Sequence, residues 1–483
     1  MRVRNQIKRR FPEAYGTVRQ AAEPLLREVR FLSKVGLGVV IRRSVKKTPW
    51  QSELPLQSRL RVDARDLTMA TLDELRRHLD ERHVQYAEGA HTIYLSPLAV
   101  AQTAFAAVSG RYPPGVGLKI VKNPLESGQS QYIHKVGQSR IHRAVTYSPK
   151  TLILAANLLH LYGIGPRLYD FVELGVGDSG WVGYVVAHCA GPALDLEECQ
   201  RGVRRIAELQ HEGLITIIAP GGFGHPDFTC PACGGNALAD TDTGSFQYVD
   251  FQNFLLENYE RFLSDLGSRA GRDTHFGDET VFRGGRYLYQ SIPGLDLPAK
   301  RSTEVRASFL RALLDEAHVS LHDRIVLDYG CNLGMMMGQY LKLGARWCHG
   351  WDFPPVVAHA ERLLLAMGCT RFSVAGVELS QGFEGTATLP AFLAPALPGC
   401  VVSYLAMRRH IGWADDLSRL PWHAAILEGH EDEPEPVFLE QLHELGRRVR
   451  FRVGARKRIK DGDSGERFAA VLVRQGDVPS YPK

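Results

Sequence analysis

Residues 324–336, RIVLDYGCNLGMM, join a carboxylate to a run of conformationally permissive positions. Ile325, Val326 and Leu327 form the short apolar run expected of a parallel strand covered on both faces. Asp328 ends the run, and Gly330, Asn332 and Gly334 follow at alternate positions. Glycine adopts positive φ freely and asparagine does so more readily than most residues, so the spacing predicts a tight turn. Leu333 to Leu343, LGMMMGQYLKL, then predicts a helix. Such a turn brings a ligand close to the backbone and to a helix N-terminus. The glycine spacing is not the G-x-G-x-x-G of a dinucleotide turn. Further on, WCHGWD predicts a second strand ending in Asp352, a carboxylate suited to ribose hydroxyls.

A second set of groups lies in the middle of the chain. FGHPDF carries Asp227, Asn236 follows a loop of small residues, and FQYVDFQNF predicts a strand at 246–249 that presents Asp250. Phosphoryl transfer needs a carboxylate to orient the attacking hydroxyl, and an amide and a second carboxylate to hold Mg²⁺ against the phosphates. Asp227, Asn236 and Asp250 have those types in that order. The candidates for a phosphate-contacting lysine are Lys119, Lys122 and Lys135. Cys230 and Cys233 form a lone C-x-x-C, which is half of a closed zinc site. Two thiols in a tight loop are the simpler reading.

The carboxy-terminal unit resembles the class I S-adenosylmethionine-dependent methyltransferases. Their acidic-x-Gly-x-Gly-x-Gly motif is matched by Asp328, Gly330, Asn332 and Gly334, with asparagine in place of the middle glycine, and their second acidic position by Asp352. The resemblance implies S-adenosylmethionine as cofactor, held by these residues, with Glu378 in or near the adenine loop. His410 is the candidate base for a neutral acceptor, and Arg408 and Arg409 are candidates to clamp an anion. The middle region resembles the catalytic segment of the protein-kinase-like superfamily. That implies Asp227 as base, Asn236 and Asp250 as metal ligands, and ATP with Mg²⁺. It departs in the long gap between Asp227 and Asn236, in Gln252 at the third DFG position, and in a weak glycine-rich loop.

The expected fold is therefore multidomain. A basic leader spans 1–60, an α+β kinase-like domain 61–270, and a linker, or a loop lying over a site, 271–300. An α/β Rossmann-like, doubly wound methyltransferase domain of seven strands spans 301–483, its last strand antiparallel. Helices are predicted at 71–82, 148–164, 194–213 and 303–319, and strands at 91–95, 117–123 and 131–136.

Composition bounds the rest. The chain has 483 residues, 44% of them hydrophobic and 23% charged, which suits two or three globular domains. No apolar run nears the roughly 20 residues that span a bilayer, and eight scattered cysteines make no disulfide framework, so a cytoplasmic location is expected. Residues 1–50 hold 13 Lys/Arg and 3 Asp/Glu, a local charge of +10 against +5 overall. The leader could lie on an anionic membrane surface or pack as a helix on the following domain. Sparse aromatics there argue against nucleic acid. Joined domains of these two kinds resemble, in reversed order, the bifunctional kinase–methyltransferases that terminate O-antigen polysaccharides. That likeness implies a glycan or lipid-linked glycan acceptor, phosphorylated and then methylated. The alternative is a small-molecule tailoring methyltransferase whose kinase-like half only recognises substrate.

Overall fold

The computed structural model describes residues 58–62, 72–84, 86–89, 92–103, 110–122, 149–174, 181–189, 196–217, 237–240, 243–249, 254–256, 258–274, 288–380, 383–431, 433–460 and 465–475. The basic leader up to residue 57, the expected strand at 131–136, Asp227, Cys230, Cys233, Asn236 and Asp250 lie outside the described residues. Among the described residues no helix is long and apolar enough to cross a membrane, and the six described cysteines are buried.

The amino-terminal part is built on a six-stranded sheet. Its strands are β1 (Ser58–Val62), β2 (Tyr86–Gly89), β3 (Thr92–Leu95), β4 (Val116–Lys122), β5 (Leu168–Leu174) and β6 (Trp181–Ala187). They are arranged β1-β5-β6-β4-β3-β2, and only the β1–β5 pair is parallel. Helices α1 (Leu72–Glu81) and α2 (Pro97–Ala101) flank the first strands, and α3 (Pro149–Leu161) precedes β5. β5 and β6 pair antiparallel. After α4 (Leu196–His211) come four strands of three residues each: β7 (Ile215–Ile217), β8 (Ala237–Ala239), β9 (Phe246–Tyr248) and β10 (Phe254–Leu256). β8 pairs antiparallel with β9, and β7 with β10.

Helix α5 (Tyr259–Asp273) was not expected from the sequence, although Tyr259, Leu263, Leu266 and Ala270 fall at helical spacing and are all buried. The stretch 271–300, read as a linker, carries β11 (Leu288–Gln290) and β12 (Ala299–Arg301), which pair in parallel. Thr303 continues this strap by donating both its N–H and its hydroxyl to Ser291.

The carboxy-terminal part is the doubly wound sheet. Helix α6 (Thr303–Glu316), capped by the Ser302 hydroxyl accepting from the Val305 N–H, leads into β13 (Ile325–Tyr329). The alternation continues as α7 (Met335–Lys342), β14 (Trp347–Asp352), α8 (Pro354–Ala366), β15 (Phe372–Gly376), β16 (Val401–Leu405), α9 (Arg408–Ile411), α10 (Asp416–Arg419), β17 (Ala424–Glu428), α11 (Glu435–Gly446), β18 (Phe451–Ile459) and β19 (Arg467–Arg474). The order is β15-β14-β13-β16-β17-β19-β18, with β19 antiparallel to both of its neighbours. Every residue of β13, β14, β16 and β17 is buried, as a parallel sheet covered on both faces requires.

The two parts share their cores. One apolar cluster contains Leu154 and Leu158 of α3, Leu263 of α5 and Leu364 of α8. Polar contacts fix the same junction. Asn157 Nδ2 donates to the carbonyls of Leu365 and Cys369 at 2.8 and 3.1 Å, and the Tyr259 hydroxyl donates to Ala366 at 2.7 Å. These carbonyls lie at or just beyond the end of α8, where intrahelical donors run out; that of Leu365 also accepts from the Gly368 N–H at 2.9 Å. Arg167 pairs with Glu361 at 2.6 Å and stacks over Phe372.

Asn157→Ala strips a buried donor from two carbonyls, and a loss of about 1–3 kcal/mol of stability is expected. Calorimetric unfolding measures it. An unchanged melting temperature would mean that those carbonyls find another donor.

Candidate functional site

The turn after β13 is held to the end of β14 by backbone hydrogen bonds. Gly330 and Cys331 donate their N–H groups to the Trp351 carbonyl at 2.9 and 3.0 Å. The Asn332 N–H donates to Asp352 Oδ2 at 2.7 Å, and the Phe353 N–H to Asp352 Oδ1 at 2.8 Å. Three turn residues take positive φ: Gly330 at 71°, Asn332 at 50° and Gly334 at 77°. A Cβ on Gly330 would overlap the Met407 sulfur, so this position needs glycine for space as well as for conformation.

A cavity of about 570 Å³ opens beside the turn, within the range of small-molecule sites. Asp328, Gly330, Asn332 and Asp352 line it, with Met336, Phe353, Leu379 and Met407 supplying apolar surface. Gly334 does not line it. That glycine caps α7, and its α-carbon faces Leu364. Glu378 is exposed and also off the cavity wall, while its neighbour Leu379 is on it.

His410 lines the cavity from α9 and Ala406 from the end of β16. Ala406 holds φ 59°, a conformation costly for a residue with a Cβ. Arg408 turns away, pairs with Glu444 at 2.7 Å and lies over Trp413, and Arg409 does not reach the cavity wall. Neither clamps an anion there.

The opposite wall comes from outside the doubly wound sheet. The end of α5 gives Gly271 and Thr274, β11 gives Tyr289 and Gln290, β12 gives Lys300, and α6 gives Arg306. The sequence points to the 271–300 stretch and the helix after it as a possible cover over a site, but to none of these residues individually. Arg301 and Arg306 stand at the start of the helical pattern of 303–319, a signal too weak to single them out.

This wall is fastened by a single carboxylate. Glu428, fully buried at the end of β17, accepts from Arg306 Nε and Nη2 at 3.0 and 2.7 Å, from Arg301 at 3.1 Å and from Arg467 at 2.5 Å. Burial raises the Glu428 carboxyl, but the three guanidinium groups outweigh it and hold it below the usual range. Glu431 takes Arg301 and Lys300, each at 3.0 Å.

The other titratable groups answer to burial. Asp328 is pushed up to about 7 by burial, against a hydrogen bond from Ser403 and the charge of Arg306, both of which lower it. Asp352 is raised by burial and restrained by its two backbone donors. His410 is lowered by burial and by Arg409. His430, whose ring lies 5.2 Å from that of His410, is lowered to about 4 by burial and the neighbouring positive groups.

The sequence matches no protein-family profile and no curated protein. Solved structures of partly similar course include magnesium protoporphyrin IX methyltransferase from Synechocystis PCC 6803, with bound S-adenosylmethionine. It is 15% identical and covers 36% of this chain and 79% of its own, with a TM-score of 0.26. A putative RNA methyltransferase from Pyrococcus horikoshii is 16% identical and covers 44% and 98%, at 0.27. Ribosomal protein L11 methylase from Lactobacillus delbrueckii subsp. bulgaricus is 17% identical and covers 35% and 79%, at 0.23. At these scores the likeness carries nothing about this chain's substrate or activity, and the chemistry must come from the cavity.

Glu428→Gln keeps the side chain's shape and removes the charge that three arginines share. Breaking a buried ion cluster this way is expected to cost about 3–5 kcal/mol. Thermal or denaturant unfolding of the full chain measures it, and a loss under about 1 kcal/mol would show the cluster balanced by other means.

Proposed function

We propose that the cavity beside the β13 turn holds S-adenosylmethionine and that the protein transfers its methyl group to an acceptor. The observation that carries this reading is the pairing of Asp352 with the turn at the carboxyl ends of two adjacent parallel strands. A carboxylate offers about four acceptor positions. Two on Asp352 are taken by backbone N–H groups, which leaves the rest for ribose hydroxyls. Asn332 Oδ1 is buried without a partner on the cavity wall, a ready acceptor for an ammonium or amino group. Gly330 keeps the turn's surface clear of a side chain. Leu379 and Phe353 offer apolar surface for a purine. These groups fit the cofactor.

When bound, the cofactor supplies an electrophilic methyl group on a sulfonium. His410, held neutral by burial and by Arg409, is able to take the proton of a neutral hydroxyl acceptor. An anionic acceptor needs only to be positioned. Asp328, poised near neutrality, gains charge as a cationic ligand arrives, because a neighbouring positive charge favours the carboxylate.

Calorimetry with S-adenosylmethionine tests the reading. Binding is expected in the full chain, and Asp352→Ala is expected to weaken it by about tenfold or more, the loss of one or two charge-assisted hydrogen bonds. Retained affinity in that variant would remove the ribose contact. The sign of the pH effect follows from Asp328. Below about 7 its proton must leave before it can pair with a cation, so affinity rises as pH rises through that value and then levels. Asp328→Asn is expected to flatten the profile.

The amino-terminal part supports a second activity, phosphotransfer with ATP and Mg²⁺, on one observation. Lys119 on β4 is buried and its Nζ donates to the Val249 carbonyl at 3.1 Å, one residue before Asp250. Of the three candidate lysines it is the one with a described contact to this segment. A strand lysine held to the end of β9 suits contact with nucleotide phosphates. The antiparallel pair β7–β10 brackets the stretch from Asp227 to Asp250 in sequence, and β8–β9 lies within it, an order compatible with that reading. α3 carries no glutamate to pair with the lysine, which is the main departure. Titration of ATP with and without Mg²⁺ checks this reading. Metal-dependent heat that Lys119→Met abolishes is the expected result, and no heat in the unaltered chain would reject the activity.

On this joint reading the acceptor is a glycan or a lipid-linked glycan precursor, an assignment resting on the likeness in architecture. The alternative, a small-molecule acceptor recognised by a non-catalytic amino-terminal part, draws support from Gly271 and Thr274 of that part, which lie on the cavity wall.

A further inference from the structure

We infer that Gln290 selects the methyl acceptor: its amide oxygen takes a hydroxyl or amine proton of a ring that lies against Tyr289. The inference rests on the methyltransferase reading and adds the acceptor's class and the residue that recognises it.

Three observations carry it. The first is an unmet hydrogen bond. Gln290 lines the cavity and is 4% exposed, and its Oε1 is buried with no hydrogen-bond partner among the described residues. An amide oxygen kept from water without a donor costs stability, and a bound donor removes that cost.

The second is that other polar groups of the cavity make the same demand. Thr274 lines it from just past α5. Its one hydroxyl proton is spent on the Ala270 carbonyl at 2.6 Å, so toward a ligand its oxygen can only accept. His410, on the facing wall, is lowered by burial and by Arg409, and a neutral imidazole keeps one accepting nitrogen. Gln290, Thr274 and His410 thus all answer to a donor.

The third is prior fixing. β11 pairs with β12 so that Gln290 stands opposite Arg301, and the Ser291 N–H donates to the Arg301 carbonyl at 2.8 Å. Arg301 is anchored in turn on Glu428 and covers the Tyr289 ring at 4.8 Å. Leu288, before them, packs on Gly271, where a Cβ would crowd it at 3.3 Å. Tyr289 and Gln290 are therefore in place before a ligand arrives, and both lie on the cavity wall. An acceptor with a ring for Tyr289 and an O–H or N–H for Gln290 meets these demands, whether the ring is aromatic or saturated and sugar-like. The rival source of the proton is an amine of the cofactor itself.

Probes that differ in the donor alone test this. Phenol with fluorobenzene, and cyclohexanol with fluorocyclohexane, are titrated by NMR into the full chain, with and without saturating S-adenosylhomocysteine. Fluorine fills the place of the hydroxyl and offers no proton. The proteins are the unaltered chain, Gln290→Met and Gln290→Glu. In the unaltered chain at least one alcohol is expected to bind about fivefold or more tighter than its fluoro partner, with the homocysteine compound present or absent, the measure of one hydrogen bond. The pair with the larger preference tells an aromatic acceptor from a sugar-like one. Gln290→Met is expected to bind both members of that pair alike, and Gln290→Glu, whose carboxylate can only accept, to keep the preference. Gln290→Met is also expected to melt no lower than the unaltered chain, because it removes a buried oxygen that had no donor. A lower melting temperature would make the amide a strut of the strap and overturn the inference. Equal binding within both pairs, or binding of none of the four, overturns it too. So does a preference that survives in Gln290→Met, which would assign the proton to another group, or one lost in Gln290→Glu, which would make the amide a donor. Displacement of the alcohol by S-adenosylhomocysteine would give the amide oxygen to the cofactor, and the inference falls. A chain with the Gln290-dependent preference that binds no S-adenosylhomocysteine keeps this site and loses the methyltransferase reading.

Discussion

Glu428 ties together parts of the chain that lie far apart in sequence. It sits at the carboxyl end of β17, and its ligands come from the β11–β12 strap, from α6 and from β19. A buried ion cluster is weak evidence for stability, because desolvation offsets much of the attraction. Its use here is geometric. The doubly wound sheet alone supplies one side of the cavity, and the strap and α6 supply the other. Without the shared carboxylate the three guanidinium groups would repel. One side chain thus decides both where the far wall stands and what charge it shows.

The position of the cavity follows from strand order. β13 starts the sheet, β14 and β15 extend it one way, and β16 and β17 the other. The chain therefore leaves β13 and β16 in opposite directions and opens a crevice at their carboxyl ends, the general place for ligands in such sheets. The turn after β13 fills the base of that crevice without closing it. Its amides are spent on Trp351 and Asp352, which fixes the Asp352 carboxylate before any ligand arrives. Prior fixing of this kind lowers the ordering cost of binding. The same burial pushes Asp328 up to about 7, so Asp328 and Asp352 do not both carry a full negative charge near neutral pH.

What the sequence made legible was what local pattern encodes. Ile325 to Leu327, the Gly330–Asn332 turn and the strand ending at Asp352 are written in consecutive residues, and each element falls where the pattern puts it. The roof was not legible, for a physical reason. β11 and β12 are three residues each, too short for periodicity to register, and they pair with each other over an intervening loop. Their place is set by Arg301 reaching Glu428, a contact across 127 positions of sequence. Arg408 and Arg409 looked better placed than Arg306 because they follow a strand of the sheet, but Glu444 draws Arg408 outward. Glu378 borders the cavity through its neighbour Leu379. The chain leaving β15 turns Leu379 to the cavity and Glu378 to water, a distinction that charge alone reads the wrong way. α5 was missed because its apolar face is interrupted by Gly267 and Gly271, poor helix formers in isolation. Those glycines are explained by packing: a Cβ on Gly267 would overlap Ile292 and Leu297 of the strap.

That packing also bears on how the two parts of the chain relate. α5 belongs by sequence to the amino-terminal part, yet its glycine face receives the strap and its end lines the cavity. At the other side of the junction Tyr259, the first residue of the same helix, donates to the end of α8, and α3 reaches that end through Asn157. One helix therefore touches the strap, the cavity and the helix behind β14. A shift of the amino-terminal part that moved α5 by an ångström would move Gly271 and Thr274 with it, since close-packed interiors transmit displacement and do not absorb it. The cavity is for this reason a property of the whole described chain. The amino-terminal part shapes the acceptor wall whether or not it carries chemistry of its own.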